Sequence, residues 1–253
     1  MNIELQKANM WKRISAGLFD GILLAMLAVG LAFLLSVVLG YDGHTAQLEA
    51  RYAEYEARYG ITLDITSADY EAMTEEERGQ YDAALAAFAE DREAGYLYSL
   101  LINLTLVIIT FGILLSYLIL ELIVPLLFGN GQTVGKKVFG IGVMHVNALK
   151  ITPQMLFIRT VLGKYTLETM IPVLLILMIF FGIIGIEGTA IILVLAIVQV
   201  VLLTATRTRS AIHDLLAQSV TVDLASQMIF ENAEARMNYV KNRAAEEAAR
   251  AEK

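Results

Sequence analysis

Arg13 and Asp20 stand seven residues apart in KRISAGLFDGILLAMLAVGLAFLLSVVLG, residues 12–40. On a helix that spacing puts both on one face, about 10 Å apart along the axis. Residues 14–39 are apolar and long enough to cross a bilayer, and a carboxylate inside such a run costs roughly 2.5–3.5 kcal/mol on insertion scales. Asp20 therefore requires a partner, a water-filled cavity or a binding role. Glu121 closes another apolar run just before Pro125. Arg13 between the carboxylates of Asp20 and Glu121 would leave one negative charge, able to take up a proton or a small cation. The alternative is that Glu121 simply reaches headgroup water. Asn103, earlier in the same run, is a second polar candidate.

Other spacings invite chemistry and then exclude it. GQTVGKK, residues 131–137, suggests a phosphate loop, but its glycines are four apart and Lys137 stands where a hydroxyl residue belongs. It also follows an apolar helix and not a strand. A basic, glycine-rich loop at headgroup level is the plainer expectation. Gly17 and Gly21 form a GxxxG pair, which predicts close approach of a neighbouring helix. His213-Asp214, taken alone, reads as a surface pair. The three histidines (44, 145 and 213) have no ligand-type spacing, and there are no cysteines. Disulfides and thiolate metal sites are thereby excluded, and no metal or cofactor is expected. No nucleophile–base pair is visible, so an enzyme is not expected either.

The elements that must position these residues are mostly helical. Hydrophobic residues make up 57% of the 253, and mean hydropathy is +0.61, well above a soluble domain. Four apolar runs, at about 14–40, 96–120, 165–186 and 189–205, each reach or approach the ~20 residues of a spanning helix. The first is too long for a signal-peptide core and reads as a retained anchor. The last two form a helical hairpin around residues 185–188, kinked or started by Pro172. Residues 41–94 carry fourteen acidic residues and four arginines, a net −10 that leaves +3 for the rest. The overall −7 thus names no partner, and nucleic acid is not expected. Lys7, Lys12, Arg13, Lys136, Lys137, Lys150, Arg159, Lys164, Arg207 and Arg209 place both termini and the 129–164 loop in the cytoplasm.

Within the acidic insert, Thr66 with Asp69 and Thr74 with Glu77 fit the helix-start pattern. Tyr81, Leu85 and Phe88 predict one apolar face, on a helix that could run into the second span. The insert is a solvated helical cap or an acidic vestibule that concentrates cations. In the cytoplasmic loop, Val138, Ile141, Val143 and Val146 predict a strand. A turn at Asn147-Ala148 and a return through Lys150-Ile151-Thr152 would make it a hairpin. Thr152-Pro153 then opens an amphipathic helix toward Arg159. The tail spaces Ile229, Ala233, Met237, Val240 and Ala244 as a surface helix fraying into disorder. The boundaries are 1–40, first helix with cytoplasmic N-terminus; 41–95, extracytoplasmic insert; 96–225, membrane body; and 226–253, cytoplasmic tail.

Taken in order, these motifs resemble the RDD family of bacterial membrane proteins, named for one arginine and two aspartates. Arg13 and Asp20 in KRISAGLFDG match the first two, and Asp214 in AIHDLLAQSVTV the third, with His213 before it. GQTVGKKVFGIGVM is similar to the family's glycine- and lysine-bearing loop, and Glu121 stands where an acid commonly precedes that loop. The resemblance covers roughly 10–40 and 96–223. Gly142 replaces an expected basic residue, and Leu215 and Gln218 replace a lysine and a glycine.

The expected architecture is an all-α membrane protein. It is a four-transmembrane-helix bundle with an extracytoplasmic acidic helical insert and a small cytoplasmic β-hairpin, in a bacterial cell membrane. Some members of the family are associated with sodium–proton antiport. The resemblance therefore implies exchange of a monovalent cation for protons, with Asp20, Glu121, Arg13 and Asp214 as ion-binding residues. Gly17, Gly21, Gly135, Lys136, Gly140 and His213 would be structural or gating. The competing expectation is a non-transporting scaffold or accessory subunit. Partners would be the lipid bilayer, and a homo-oligomer or a second membrane protein, since four spans are few for a transporter.

Overall fold

A computed structural model describes residues 5–180, 182–205 and 210–251. Arg207 and Arg209, used above for orientation, and the last residues of the tail lie outside them. The chain is mostly helical with one two-stranded sheet, and divides into two compact units, Met1–Ala28 with Ile113–Lys253, and Val29–Gly112.

Helix α1, Met10–Val38, has apolar residues all round and buries only Ala16 and Asp20. Leu18, Ile22, Met26 and Phe33 are exposed. A helix apolar on every face and uncovered by protein is suited to lipid. Two further helices are long and apolar enough to cross a membrane, Arg92–Phe128 and Pro153–Phe180, whereas Ile186–Leu202 is shorter.

In the unit Val29–Gly112, α2 (Tyr41–Tyr59), α3 (Ser67–Ala72) and α4 (Glu75–Glu90) precede α5 (Arg92–Tyr117). Both expected capping boxes form: Thr66 accepts from the Asp69 amide and Thr74 from the Glu77 amide, and each acid reaches back to its cap. The apolar face of α4 is Tyr81, Ala84 and Phe88. Ala84 is fully buried and Phe88 stacks on Tyr52 at 4.4 Å, while Leu85 is exposed. Helix α4 does not run into the second long helix. Asp91 interrupts it, its Oδ1 accepting from the amides of Glu93 (2.8 Å) and Ala94 (3.2 Å), so a new helix starts there.

In the other unit the second long helix continues through a π-helical stretch, Leu118–Ile123, into α6 (Val124–Phe128). Then come α7 (Val134–Val138) and β1 (Ile141–His145). The predicted hairpin is corrected. β1 pairs antiparallel with the distant β2 (Ser219–Asp223), Val143 opposite Thr221, and the 147–152 return gives only a bridge between Met144 and Lys150. Ile151 instead turns under the sheet to pack with Val143 and Leu156. Val220 and Val222 are fully buried, so β2 covers the apolar pattern of β1 better than Lys150 could. Val138 belongs to α7 and is exposed.

A helix opens at Thr152-Pro153 as expected, but it is continuous with the third span, whose apolar run was expected only from about 165. Thr152 caps it by accepting from the Met155 amide (3.3 Å). It runs as α8 (Pro153–Phe157), a π-helical stretch Ile158–Met170, and α9 (Ile171–Phe180). Arg159 and Lys164, read above as loop charges, therefore sit on it. The turn follows at residues 182–185, and Ile186 to Gly188 already belong to α10 (Ile186–Ala205). Helix α11 (Ile212–Leu216) precedes β2, and α12 (Ala233–Ala251) ends the fold. The segment before α1 is tied to β2, the Ala8 amide donating to Thr221 O (3.2 Å) and Asp223 N to Gln6 O (3.1 Å). That anchorage fixes where Arg13 begins.

Candidate functional site: a charge-balanced cavity

A cavity of about 420 Å³ lies within the unit that holds β1 and β2. Its walls bring together Arg13, Asp20, Glu121 and Asp214, but their partners are not those expected. Arg13 pairs with Asp214 (Nη2 to Oδ2, 3.5 Å), Asp20 with Lys136, and Glu121 with Lys164. The single guanidinium shared by Asp20 and Glu121 is thus replaced by separate ion pairs.

Asp20 is held by the glycine-rich loop. Its Oδ1 accepts from the Gly135 amide at 2.7 Å, and Thr133 Oγ1 donates to its Oδ2. Thr133 also caps α7, accepting from the Lys136 amide (3.3 Å). A Cβ on Gly135 would lie 2.4 Å from Ala16 O, so only glycine lets the loop approach α1 this closely. The stretch that mimics a phosphate loop is a cradle for the chain's own carboxylate. Lys136 Nζ completes it, 3.1 Å from Thr133 Oγ1 and 3.9 Å from Asp20 Oδ2. Burial, reinforced by the nearby Lys164 ammonium, pushes Lys136 down to about 7.

Asp214 is a buried hub and not a surface residue. Its Oδ1 accepts from Arg159 Nη2 (2.9 Å), Arg159 Nε (3.1 Å) and Ser219 Oγ (3.1 Å). Burial alone would raise its pKa; Arg159, then His213 and Arg13, hold it far below the usual carboxylate range. His213 Nδ1 lies 2.7 Å from Glu168 Oε2, and the His213 amide donates to Glu168 Oε1 (3.0 Å). Burial lowers His213, although Asp214 pulls the other way. Gln199, midway along α10, donates to Glu168 (3.2 Å) and accepts from the Ile212 amide (3.3 Å).

Glu121 lies 2.5 Å from Lys164 Nζ and is almost fully buried. Pro125, four residues on, has no N–H for the Glu121 carbonyl. Buried Thr160 supplies the donor, at 2.8 Å. The π-helical stretch explains the third helix's contribution. Bonding five residues apart brings Arg159 with Lys164, and Gly163 with Glu168, toward one side. Gly163 is needed there too, since a Cβ would sit 2.5 Å from His213 Cβ.

Gly17 and Gly21 correct the helix-approach expectation. Both line the cavity, and a Cβ on either would meet nothing within 4 Å. They make room; the close approach is at Ala16 and Gly135. Gly140 adopts φ +65° at the turn into β1 and packs against nothing. Asn103 is exposed and does not line the cavity. Gly142 faces Leu224, 2.9 Å from where a Cβ would be, which leaves no space for a basic side chain. Gln218 has φ +47°, a conformation natural to the glycine it replaces.

Sequence reasoning missed Arg159 and Lys164 as site residues, together with Thr133, Thr160, Glu168 and Gln199. The available signal was three ionisable residues, 159, 164 and 168, in a helix that continues into an apolar run. Among the described residues the lining holds four acids (Asp20, Glu121, Glu168, Asp214), four bases (Arg13, Lys136, Arg159, Lys164) and His213, so its carboxylates and its Lys and Arg side chains are equal in number.

Neither a curated protein nor a solved structure matches the chain. The sequence model of the RDD family matches residues 7–218. With Arg13, Asp20 and Asp214 all inside that match and all on one cavity, the chain belongs to the RDD family.

Proposed function

We propose that this chain is a multi-pass protein of the cell membrane, with both termini cytoplasmic, that exchanges a monovalent cation such as sodium for protons through the charge-balanced cavity. The supporting observation is the balance itself. Loss of one proton from the four-acid, four-base lining leaves one negative charge, which one monovalent cation restores. Lys136 is the proton carrier in this reading, because burial pushes its ammonium down to about 7 while it stands beside Asp20 and Thr133. Asp20 and Thr133 hold the position the cation fills. Asp214, joined to Arg159 and Arg13, acts as the gate that ties α11, the third long helix and α1.

One observation favours the second reading, a non-transporting scaffold or accessory subunit. Each cavity carboxylate already has a basic or histidine partner, and those pairs link separate helices. Proteoliposomes separate the two. A gradient of a monovalent cation, sodium or a primary alkylammonium in parallel, imposed on the reconstituted chain should drive proton flux above that of empty vesicles, and Asp20→Asn should abolish it. Folded wild-type protein without such flux would leave the scaffold reading standing.

A further inference from the structure

The cavity is larger than a bare ion requires. Gly17 and Gly21 face open space on this wall, and Ile14 and Leu24 extend it with hydrocarbon. A dehydrated metal ion needs several oxygens converging on one point. Among the described residues, no three Asp, Glu or His side chains do so. Of the cavity's separate ion pairs, the one at Asp20 stands beside Gly17, Gly21 and the apolar stretch of α1.

That ion pair already shows what the site holds. Lys136 presents a primary ammonium on a four-carbon chain, 3.1 Å from Thr133 Oγ1 and 3.9 Å from Asp20 Oδ2. We propose that the cation taken up is a small primary alkylammonium, whose nitrogen replaces Lys136 Nζ against Asp20 and Thr133 and whose carbon chain lies along Gly17 and Gly21. This inference rests on the exchange reading above and names its substrate class. The balance is simple: Lys136 gives one proton to water, its neutral amine withdraws, and one alkylammonium enters, so the cavity charge is unchanged. The ligand's N–H groups matter, because a hydroxyl and a carboxylate oxygen both accept hydrogen bonds.

The test is calorimetric binding to the full chain in nanodiscs, with empty nanodiscs as the blank. The probes are n-propylammonium, tetramethylammonium and sodium, each at pH 6 and pH 8. Propylammonium should bind about tenfold more tightly at pH 8 than at pH 6, as Lys136 loses its proton. Tetramethylammonium, with no N–H, should bind at least about tenfold more weakly. Lys136→Gln should bind propylammonium equally at both pH values. Gly21→Phe should fill the space beside Gly17 and abolish binding with its melting temperature unchanged, whereas Gly21→Ala should retain it. If Gly21→Phe unfolds, the propyl-against-tetramethyl comparison in wild type decides. Absence of propylammonium binding by folded wild type, or equal affinity for the two amines, overturns the proposal. Sodium-driven flux without propylammonium binding defeats the substrate class and spares the exchange reading. Propylammonium binding in a protein that moves no protons does the reverse.

Discussion

Replacing Asp214 by asparagine keeps its volume and removes its charge from a position only 1% exposed. Arg159, 3% exposed, then remains charged beside a neutral amide. Breaking one partner of a buried ion pair costs about 3–5 kcal/mol, because the remaining charge has lost its compensation. Arg13 adds less than Arg159, since its contact to Asp214 is 3.5 Å long against 2.9 Å. The expected loss for Asp214→Asn is therefore about 3–5 kcal/mol, roughly a hundred- to several-thousandfold in the unfolding equilibrium. Arg13→Gln should cost about 1 kcal/mol or less. The double variant Asp214→Leu with Arg159→Met should recover most of the loss, because the buried Arg159 charge leaves together with its partner and only the longer Arg13 contact is lost. Denaturant unfolding of wild type, Asp214→Leu, Arg159→Met and the double variant, with Asp214→Asn and Arg13→Gln alongside, in one detergent at pH 7 measures the cycle. Asp214→Asn within about 1 kcal/mol of wild type, or single and double variants that simply add, would refute the reasoning.

Gly135→Ala should destabilise by about 1–3 kcal/mol, since its Cβ would lie 2.4 Å from Ala16 O; Gly17→Ala, with open space around it, should be within about 0.5 kcal/mol of wild type by thermal unfolding. Thr160→Val should cost about 1–3 kcal/mol by leaving the Glu121 carbonyl without a donor, and Pro125→Ala should restore part of the loss by returning a backbone N–H; an equal loss in both backgrounds would count against this account. Asp69 and Glu77 titrate below their ordinary values because the Thr66 and Thr74 hydroxyls and amides bond the charged forms. Their contribution to α3 and α4 is present above the unfolded values of about 4 and lost as pH falls through the lowered folded ones, so NMR titration showing unshifted carboxyls would contradict the capping boxes.

What was legible in the sequence was what is local. The capping boxes need only four consecutive residues, and both formed where Thr66 and Thr74 predicted them. Asp20 stood out because a charge in an apolar run requires compensation wherever the run packs. The identity of that compensation was not legible. Asp20 could pair with Arg13, two turns back on the same helix face, or with a base far along the chain. The deciding contact is steric, Gly135 against Ala16 O, which draws Thr133 and Lys136 onto Asp20. Distance along the chain defeated the hairpin in the same manner. Lys150 is the near partner for Met144, but Val220 and Val222 bury the strand face better from more than seventy residues away.

The third helix failed for a different reason, its period. Polar residues at 159, 164 and 168 do not align at a 3.6-residue repeat, so they read as a basic loop leading into a span. With bonds five residues apart they align on the cavity. The widened helix and the proline of the second helix meet at one bond, Thr160 to the Glu121 carbonyl. Both irregularities thus lie where Glu121 and Lys164 face each other. A regular helix at either place would turn one of those charges away from its partner, so the departures from ideal geometry are what close the charge balance of the cavity.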